Sequence, residues 1–346
     1  MTLDIPSFFC ILLTGKKQEG KNASMAEIIP VDLEHIQDLS FYGIRQAAVA
    51  IGVFDGVHRG HQKLLTELLS VSAELDCCPV VMTFYPHPRS LLTDNPPNLL
   101  YSRDEKIRLL HRYGVKAVVT VPFTRQFASL TPDIFLEQSV FTGDVKILGI
   151  CVGKNWRFGA KAAGNAEFLE RTAAEKHFRF SAVEELCLDD GRTVCSTAIR
   201  EAVSSGHLDQ AEWMLGRRYS LFGTVEHGYH NAGEKLDAPT ANLQLHDGVL
   251  PPCGVYAGIA HLSGHGSFAA AVNVGVAPTF RELYGNIAPR IEVHLLDGFS
   301  GDLYGREMEL ELAGFIRPER KFPDILALKQ QINNDIEQIM HRLGRS

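Results

Sequence analysis

The sequence lacks any pair of cysteines in a C-x-x-C arrangement, and its cysteine count is odd. The seven cysteines are Cys10, Cys77, Cys78, Cys151, Cys187, Cys195 and Cys253. This pattern predicts neither a disulfide framework nor a zinc site. It is typical of a protein of the reducing cytoplasm, and a cytoplasmic location is therefore expected.

The sequence also lacks a long apolar run and an excess of positive charge. The apolar patch at residues 8–13 is too short to span a bilayer, and no basic residue precedes it as in a signal peptide. The net charge of −7 gives no electrostatic reason to expect nucleic acid. We therefore predict small molecules as ligands, with no membrane or nucleic-acid partner. The composition leaves a homo-oligomer open.

The length of 346 residues and a change in the sequence pattern near residue 218, from alternating strand-like and helix-like segments to short β-like segments, predict two domains. Residues 16–24 are polar and organised sequence begins near residue 28, so we expect a disordered extension over residues 1–27, with Met25 as a candidate start. The first domain is predicted to span residues 28–218 and the second residues 219–346.

The first domain alternates between strand-like and helix-like segments. Apolar runs are found at residues 79–84, 116–121, 145–152 and 179–183, separated by helix-like stretches near residues 104–113, 133–141 and 166–176. Such alternation predicts an α/β domain with a parallel sheet covered by helices. Ligands of such sheets bind beyond the carboxyl ends of the strands.

The second domain is rich in short β-like segments without intervening helices. They lie near residues 219–226, 241–245, 255–262, 268–274, 290–296 and 307–312. This pattern predicts an antiparallel β-barrel. The chain then ends with apolar residues at helical spacing, which predicts a terminal α-helix whose apolar stripe packs on the barrel. These residues are Ile325, Leu328, Ile332, Ile336, Ile339 and Leu343.

The most informative segment is IGVFDGVHRGH, residues 51–61, where a strand-like run turns into a helix. Gly52, Gly56 and Gly60 interrupt this join, and a helix that starts after such a turn presents free backbone N–H groups to phosphate. His58 and His61 are three residues apart and so lie on one side of the first helical turn. Since the chain has no G-x-x-x-x-G-K-[ST] motif, phosphate binding is predicted to rest on this turn and on the PTAN loop at residues 239–242. A βα turn with two solvated histidines is the structural alternative.

Three further clusters in the first domain bear on chemistry. They are FYPHP at residues 84–88, GKNWRFG at residues 153–159 and CSTAIR at residues 195–200. Residue type alone favours a structural turn for the first cluster and leaves the second as either core aromatics or a flat binding surface beside a cation. Ser196 and Thr197 are predicted N-cap residues of a helix, and with Arg200 they form a candidate phosphate clamp.

The segment from Gly52 to His61, Gly-x-Phe-Asp-Gly-x-His-x-Gly-His, resembles the HxGH nucleotidyltransferases. Its form is similar to the FAD synthetase half of bacterial bifunctional riboflavin kinase/FAD synthetases. The resemblance implies a Rossmann-like domain that transfers AMP from ATP to FMN, giving FAD and pyrophosphate.

The same resemblance implies a role for each matching residue of the first domain. The implied catalytic residues are His58, His61 and Arg200, and the implied ATP-binding residues are Gly52, Phe54, Asp55, Gly56, Gly60, Ser196 and Thr197. Flavin binding is implied for Pro86, His87, Pro88, Asn155, Trp156, Arg157 and Phe158. The chain departs from the family where Asn155 and Trp156 replace an acidic residue and Phe, and where Cys195 replaces the first Ser of S-S-T-x-x-R.

The second domain resembles a riboflavin kinase through five motifs in order. They are PTAN at residues 239–242, NVGVAPTF at 273–280, IEVHLLD at 291–297, DLYG at 302–305 and FIRPERKF at 315–322. The resemblance implies that Glu292 is the general base, that Thr240 and Asn242 bind Mg²⁺ and ATP, and that Arg317 lies near the flavin. Mg²⁺ with ATP is the implied cofactor, and FMN and FAD are substrate and product. Without the motifs, Glu292 would be interpreted as a surface carboxylate.

Two alternatives remain open from the residues. Glu234 and Asp237 stand where the family usually has an arginine and a glycine, and carboxylates there would repel phosphates, so the chain could be an FAD synthetase with an impaired kinase domain. The other alternative is a flavin-binding regulator without activity, which the intact set in the first domain disfavours. His227 and His230 are interpreted as solvated histidines because no third metal ligand accompanies them.

Overall fold

The computed structural model describes residues 32–226, 240–275, 290–296, 299 and 303–345. This part of the chain forms two compact units. The first contains residues 32–202 and 210–217, and the second contains residues 203–209 and those described from 218 onward. In the described residues, no helix is both long enough and apolar enough to cross a bilayer.

The first unit is built on a six-stranded sheet in which every neighbouring pair is parallel. The strands are β1 (Asp32–Leu33), β2 (Gln46–Ile51), β3 (Cys78–Tyr85), β4 (Ala117–Pro122), β5 (Lys146–Gly153) and β6 (Arg179–Val183), in the order β1-β4-β3-β2-β5-β6. β2 lies in the middle and is fully buried from Ala47 to Ile51, as a central parallel strand should be. The predicted α/β fold is confirmed.

Eight α-helices accompany this sheet in the described chain before the barrel. They are α1 (Arg59–Glu74), α2 (Pro88–Leu92), α3 (Arg103–Arg112), α4 (Arg125–Ala128), α5 (Pro132–Phe135), α6 (Ala166–Lys176), α7 (Ser196–Ser204) and α8 (Leu208–Leu215). Helix α1 buries Leu64, Leu65 and Leu68 because these apolar residues share one face. One prediction was wrong in detail: the helix expected over residues 133–141 is an α-helical turn that ends at Phe135 and continues as a π-helix, Leu136–Val140.

The second unit contains a closed barrel of six antiparallel strands, which confirms the predicted architecture. The strands are β7 (Ser220–Glu226), β8 (Thr240–Asp247), β9 (Gly254–Leu262), β10 (Gly266–Gly275), β11 (Arg290–Leu295) and β12 (Glu307–Arg317), in the order β10-β11-β8-β7-β12-β9. Alternate residues of β12, such as Met308 and Leu310, are buried in the barrel interior.

The terminal helix α9 (Ile325–Arg342) packs against β9, β10 and β12. It begins at Asp324, whose carboxylate accepts a hydrogen bond from the Ala327 backbone N–H at 2.8 Å. The predicted apolar stripe is buried only in part: Ile339 is fully buried, whereas Ile325 is 54% exposed. The first turn of the helix therefore does not share the packing of the later turns.

Candidate active sites

The turn between β2 and α1 has an unusual backbone conformation. Phe54, Gly56 and Val57 all have positive φ, at 56°, 82° and 41°. Glycine is the expected residue for such angles, but Phe54 and a β-branched Val57 are not. A left-handed non-glycine residue costs about 1–3 kcal/mol and persists only where its surroundings hold it. Both side chains are fully buried, so packing holds this turn in place.

The two histidines of the turn lie face to face. His58 is the N-cap of α1, and its Nδ1 accepts a hydrogen bond from the His61 backbone N–H at 3.3 Å. The two imidazole rings stack with their centroids 3.6 Å apart, as the three-residue spacing predicts, and Phe54 lies 5.1 Å from the His61 ring. In the described structure, His61 Nδ1 is buried without a hydrogen-bond partner.

Burial keeps both imidazoles neutral. It lowers the pKa of His58 to about 3, with smaller contributions in the same direction from the positive charges of Arg217 and Arg200. Burial also lowers the pKa of His61 well below its usual value, helped by His58 and Lys106. Because His58 Nδ1 accepts a hydrogen bond, the proton of the neutral ring is on Nε2. His58 is therefore a neutral hydrogen-bond donor at the start of a helix.

The position between the two histidines, residue 60, requires a residue without a side chain. A Cβ atom at this position would lie 3.1 Å from both Cε1 and Nδ1 of His58 and 3.5 Å from the Val194 carbonyl oxygen. Glycine is the residue that leaves the His58 ring room to stack on His61.

A buried ion pair lies beside the turn. Asp55 is 4% exposed, accepts a hydrogen bond from the Leu100 backbone N–H at 3.0 Å, and forms an ion pair with Nη2 of Arg200. Nε of Arg200 donates to the Asn98 carbonyl at 2.6 Å. Burial raises the pKa of Asp55, while Arg200 acts in the opposite direction. The guanidinium predicted to bind phosphate is thus oriented by a carboxylate of the FDG sequence.

The start of α7 differs from the prediction. Ser196 was expected as an N-cap, but its hydroxyl instead donates to the Asp55 carbonyl at 2.8 Å, and the Ile199 N–H bonds the Cys195 carbonyl. Ser196 and Thr197 are therefore the first helical residues, and Cys195 takes the capping position. Thr197 is exposed. The Ser196 hydroxyl therefore forms a tertiary hydrogen bond with the turn instead of capping its own helix.

Lys106 is a buried cation that sequence reasoning missed. It is 7% exposed, and its Nζ donates to Thr83 Oγ1 at 3.0 Å and to the Val53 carbonyl at 3.3 Å. Burial lowers the pKa of this lysine to about 8, against the favourable charge of Asp55. A signal was present, because Lys106 shares the apolar face of α3 with Leu109, one turn further on.

A small cleft joins the turn to the FYPHP segment. Its walls include Asp55, Lys106 and His87, with Tyr85 and Arg103. His87 caps α2, its Nδ1 accepts from the Arg89 backbone N–H at 3.1 Å, and burial lowers its pKa to about 4. Pro88 follows as the first residue of α2, and the exposed Pro86 precedes His87. The fold thus brings two of the predicted clusters to one cleft.

The GKNWRFG segment divides between the core and the surface. Phe158 is 7% exposed and packs against Phe135 with their ring centroids 5.5 Å apart, while Trp156 stacks on Phe158 at 4.6 Å and 10°. Asn155 and Arg157 are exposed. Trp156 is half-buried, so it is the aromatic residue of this segment that reaches the surface.

In the barrel, cross-strand pairing brings the predicted kinase residues together. Glu292 of β11 is paired with Asn242 of β8 on one side and with Asn273 of β10 on the other. Directly paired residues of antiparallel strands point to the same face of the sheet. Glu226 of β7 extends the row beyond Asn242. Asn273 and Glu226 are additions that sequence reasoning did not assign.

The other predicted kinase residues are only partly described. Thr240 is paired with His294, but its side chain lies outside the description, as do Glu234, Asp237, His227 and His230. Arg317 is described: Nε and Nη2 bind the carboxylate of Asp335 at 2.8–3.0 Å, and Nη1 donates to the Pro318 carbonyl at 3.0 Å. The Arg317 guanidinium anchors α9, and its role near the flavin remains a prediction.

Comparison with known proteins decides the family. Residues 43–198 match the FAD synthetase family and residues 215–343 match the riboflavin kinase family. A protein of Haemophilus influenzae named bifunctional riboflavin kinase/FMN adenylyltransferase is 38% identical over 297 residues, which cover 85% of this chain and 93% of that protein. This chain belongs to the bifunctional riboflavin kinase/FMN adenylyltransferase family. The family's two activities reside in its two domains, so the predicted bifunctional enzyme is confirmed.

Other members and a solved structure extend the likeness to most of the chain. The Escherichia coli K12 bifunctional riboflavin kinase/FMN adenylyltransferase is 35% identical over 301 residues, or 87% of this chain and 94% of that protein. A solved structure from Streptococcus pneumoniae, described as a macrolide-efflux protein, aligns with a TM-score of 0.71 and 29% identity over 84% of this chain and 92% of that chain. The likeness therefore covers nearly the whole length of both proteins.

Proposed function

We propose that the HxGH turn, residues 58–61, is the site of adenylyl transfer and that the Asn242–Glu292 pair is part of the riboflavin kinase site. The observation that supports the first assignment is the stacked pair of neutral histidines at the start of α1, beside the Asp55–Arg200 ion pair. Helix N-terminal N–H groups, imidazole donors and a guanidinium are the groups that a triphosphate requires.

At the first site, an FMN phosphate oxygen attacks the α-phosphorus of ATP in line. The new P–O bond forms as the bond to the bridging oxygen of pyrophosphate breaks, with no covalent enzyme intermediate. His58 Nε2–H donates to the phosphate oxygens, and Arg200, held by Asp55, balances the charge that develops on them. The bound anion in turn raises the pKa of both imidazoles, because a negative charge favours their protonated forms.

At the second site, Glu292 accepts the proton of the ribityl 5′-hydroxyl as that oxygen attacks the γ-phosphorus of ATP, and the bond from this phosphorus to the bridging oxygen breaks to release ADP. Glu292 is exposed on its strand and so is accessible to a substrate. The amide oxygen of Asn242 and the hydroxyl of Thr240 are the hard oxygen donors that suit Mg²⁺, and these two residues form the proposed metal set. When bound with ATP, Mg²⁺ neutralises phosphate charge.

One assay tests both assignments. Riboflavin or FMN is incubated with Mg²⁺ and ATP, and the flavins are then separated by chromatography. His61→Ala should form FMN from riboflavin but no FAD, because the stacked pair is lost while the barrel is untouched. Glu292→Gln should form FAD from supplied FMN but no FMN from riboflavin.

Matched controls are available in both units. His35→Ala removes an exposed histidine of the first unit, and Glu337→Gln neutralises an exposed carboxylate of α9. Both variants should keep both activities. Loss of both activities in His61→Ala would contradict separate sites, and FAD synthesis at the wild-type rate in that variant would contradict the assignment to the HxGH turn.

A further inference from the structure

Arg217 lies at the end of the first unit, and its guanidinium binds the backbone of the HxGH turn. Nη2 donates to the Gly56 carbonyl at 2.7 Å, and Nη1 donates to the Val57 carbonyl at 3.1 Å and to the Leu215 carbonyl at 3.2 Å. Gly56 and Val57 directly precede His58. The two terminal nitrogens of one side chain thus bind two successive carbonyls of the turn.

Two further side chains, Tyr101 and Gln62, fix this arrangement. The Arg217 guanidinium lies over the Tyr101 ring, 5.3 Å from its centroid. Gln62 of α1 donates through Nε2 to the carbonyls of Val57 and Leu215, at 2.9 and 2.7 Å. The Val57 carbonyl therefore accepts hydrogen bonds from two side chains, at the residue whose φ of 41° is unfavourable for a β-branched residue.

We propose that Arg217 is a positioning residue for FMN adenylylation, which holds the Gly56–Val57 backbone so that His58 and His61 face the phosphates. The proposal rests on the assignment of these histidines to adenylyl transfer. Arg217 lies beyond residue 198, where the match to the FAD synthetase family ends, and inside the 215–343 match to riboflavin kinase. Its contacts nevertheless assign it to the adenylyltransferase.

The neighbouring Arg218 provides a matched control. Its Nη1 lies 3.7 Å from a carboxylate oxygen of Glu311 on β12, within the second unit. The two consecutive arginines therefore contact different units: Arg217 binds the HxGH turn, and Arg218 pairs with a carboxylate of the barrel. Substitution at Arg218 should leave adenylyl transfer unchanged.

Lysine does not reproduce the guanidinium at position 217, because its single nitrogen cannot stand both where Nη2 binds the Gly56 carbonyl and where Nη1 binds the Val57 and Leu215 carbonyls. Since a displacement of about 1 Å at a reacting group costs about 100-fold in rate, we expect Arg217→Ala and Arg217→Lys to lower kcat for FAD formation at least ~10-fold. The KM values for ATP and FMN should stay within about twofold, because Arg217 acts through the turn.

The experiment measures kcat and KM for FAD formation from FMN, and the rate of FMN formation from riboflavin, in full-length Arg217→Ala, Arg217→Lys and Arg218→Ala. Both Arg217 variants should retain wild-type riboflavin phosphorylation. Guanidinium ion, added below unfolding concentrations, should restore part of the FAD synthesis in Arg217→Ala. It should not restore activity in His61→Ala. Arg217→Lys retains the charge and most of the side chain, and serves if Arg217→Ala fails to fold.

Three results would overturn the proposal. One is adenylylation within about twofold of wild type in both Arg217 variants while His61→Ala is inactive. Another is a rise in KM at unchanged kcat, which would mean that Arg217 contributes to substrate binding. The third is an equal loss of adenylylation in Arg218→Ala. If His61→Ala itself retains FAD synthesis, the underlying site assignment fails instead.

Discussion

His58 gives the first unit a specific sensitivity to acid. Its imidazole is 6% exposed, and burial with the nearby Arg217 and Arg200 charges lowers its pKa from about 6.5 to about 3. The folded protein therefore resists protonation of a ring that the unfolded chain protonates near its ordinary pKa. The resulting stabilisation is fully present above about pH 6.5 and is lost progressively as the pH falls towards 3.

The size of this loss of stability depends on how far the pH lies below the pKa of His58 in the unfolded chain. Each pKa unit is worth about 1.4 kcal/mol, so lowering the pH from about 7 to about 5 should cost the first unit roughly 2 kcal/mol through His58 alone. For a protein whose free energy of unfolding is about 5–15 kcal/mol, this loss is easily measured.

Tryptophan fluorescence reports the unfolding of the first unit. The chain has two tryptophans, Trp156 and Trp213, and both lie in the first unit. Urea unfolding followed by this signal should be compared at both pH values for the wild type and for His58→Asn, which keeps a side chain able to cap α1. The variant should lose about 2 kcal/mol less than the wild type between the two pH values.

His35→Asn makes the same substitution at an exposed histidine and should behave as the wild type does. An equal loss of stability in His58→Asn and the wild type would refute the reasoning, because it would mean that burial does not hold His58 neutral. His61 is buried in both proteins and contributes to both measurements.

Three other substitutions test separate contacts. Gly60→Ala places a Cβ 3.1 Å from the His58 ring and should lower the rate of FAD formation at least ~10-fold, with riboflavin phosphorylation unchanged in the same chromatographic assay. Lys106→Met should change the free energy of unfolding of the first unit in urea by less than about 2 kcal/mol, since an apolar side chain of similar length fills the site. The same variant should slow FAD synthesis. A wild-type rate of FAD synthesis would show that the cation has only a structural role. Asp335→Asn leaves the Arg317 guanidinium without its carboxylate and should destabilise the barrel by about 3 kcal/mol in urea unfolding followed by circular dichroism, and an unchanged midpoint would contradict a buried ion pair.

Local patterns determined most of the elements that carry the two sites. The predicted strand at residues 179–183 and helix at residues 166–176 coincide with β6 and α6, because alternation and helical spacing are properties of neighbouring residues. The HxGH turn was equally predictable, since the stacking of His58 on His61 follows from their three-residue spacing at a helix start.

Local patterns failed where distant contacts decide. The strand predicted to end at Leu312 continues to Arg317 because irregular pairing with β9 extends β12 past a bulge. Ser196 was expected to cap its own helix, but the Asp55 carbonyl, 141 residues away, takes its hydroxyl. Phe158 belongs to a segment whose composition allows a flat binding surface, yet its side chain is buried in the aromatic core.

The amino-acid sequence by itself determined the two domains, their fold classes and the residues of the HxGH turn, because each is encoded in short-range patterns and motifs. Only the tertiary structure decided what holds that turn. Arg217 reaches Gly56 across 161 residues, Arg200 reaches Asp55 across 145, and Lys106 enters the same cleft from a third element. No local pattern specifies such partners, since hydrogen bonds and charges between distant segments form only once the sheet has brought those segments together.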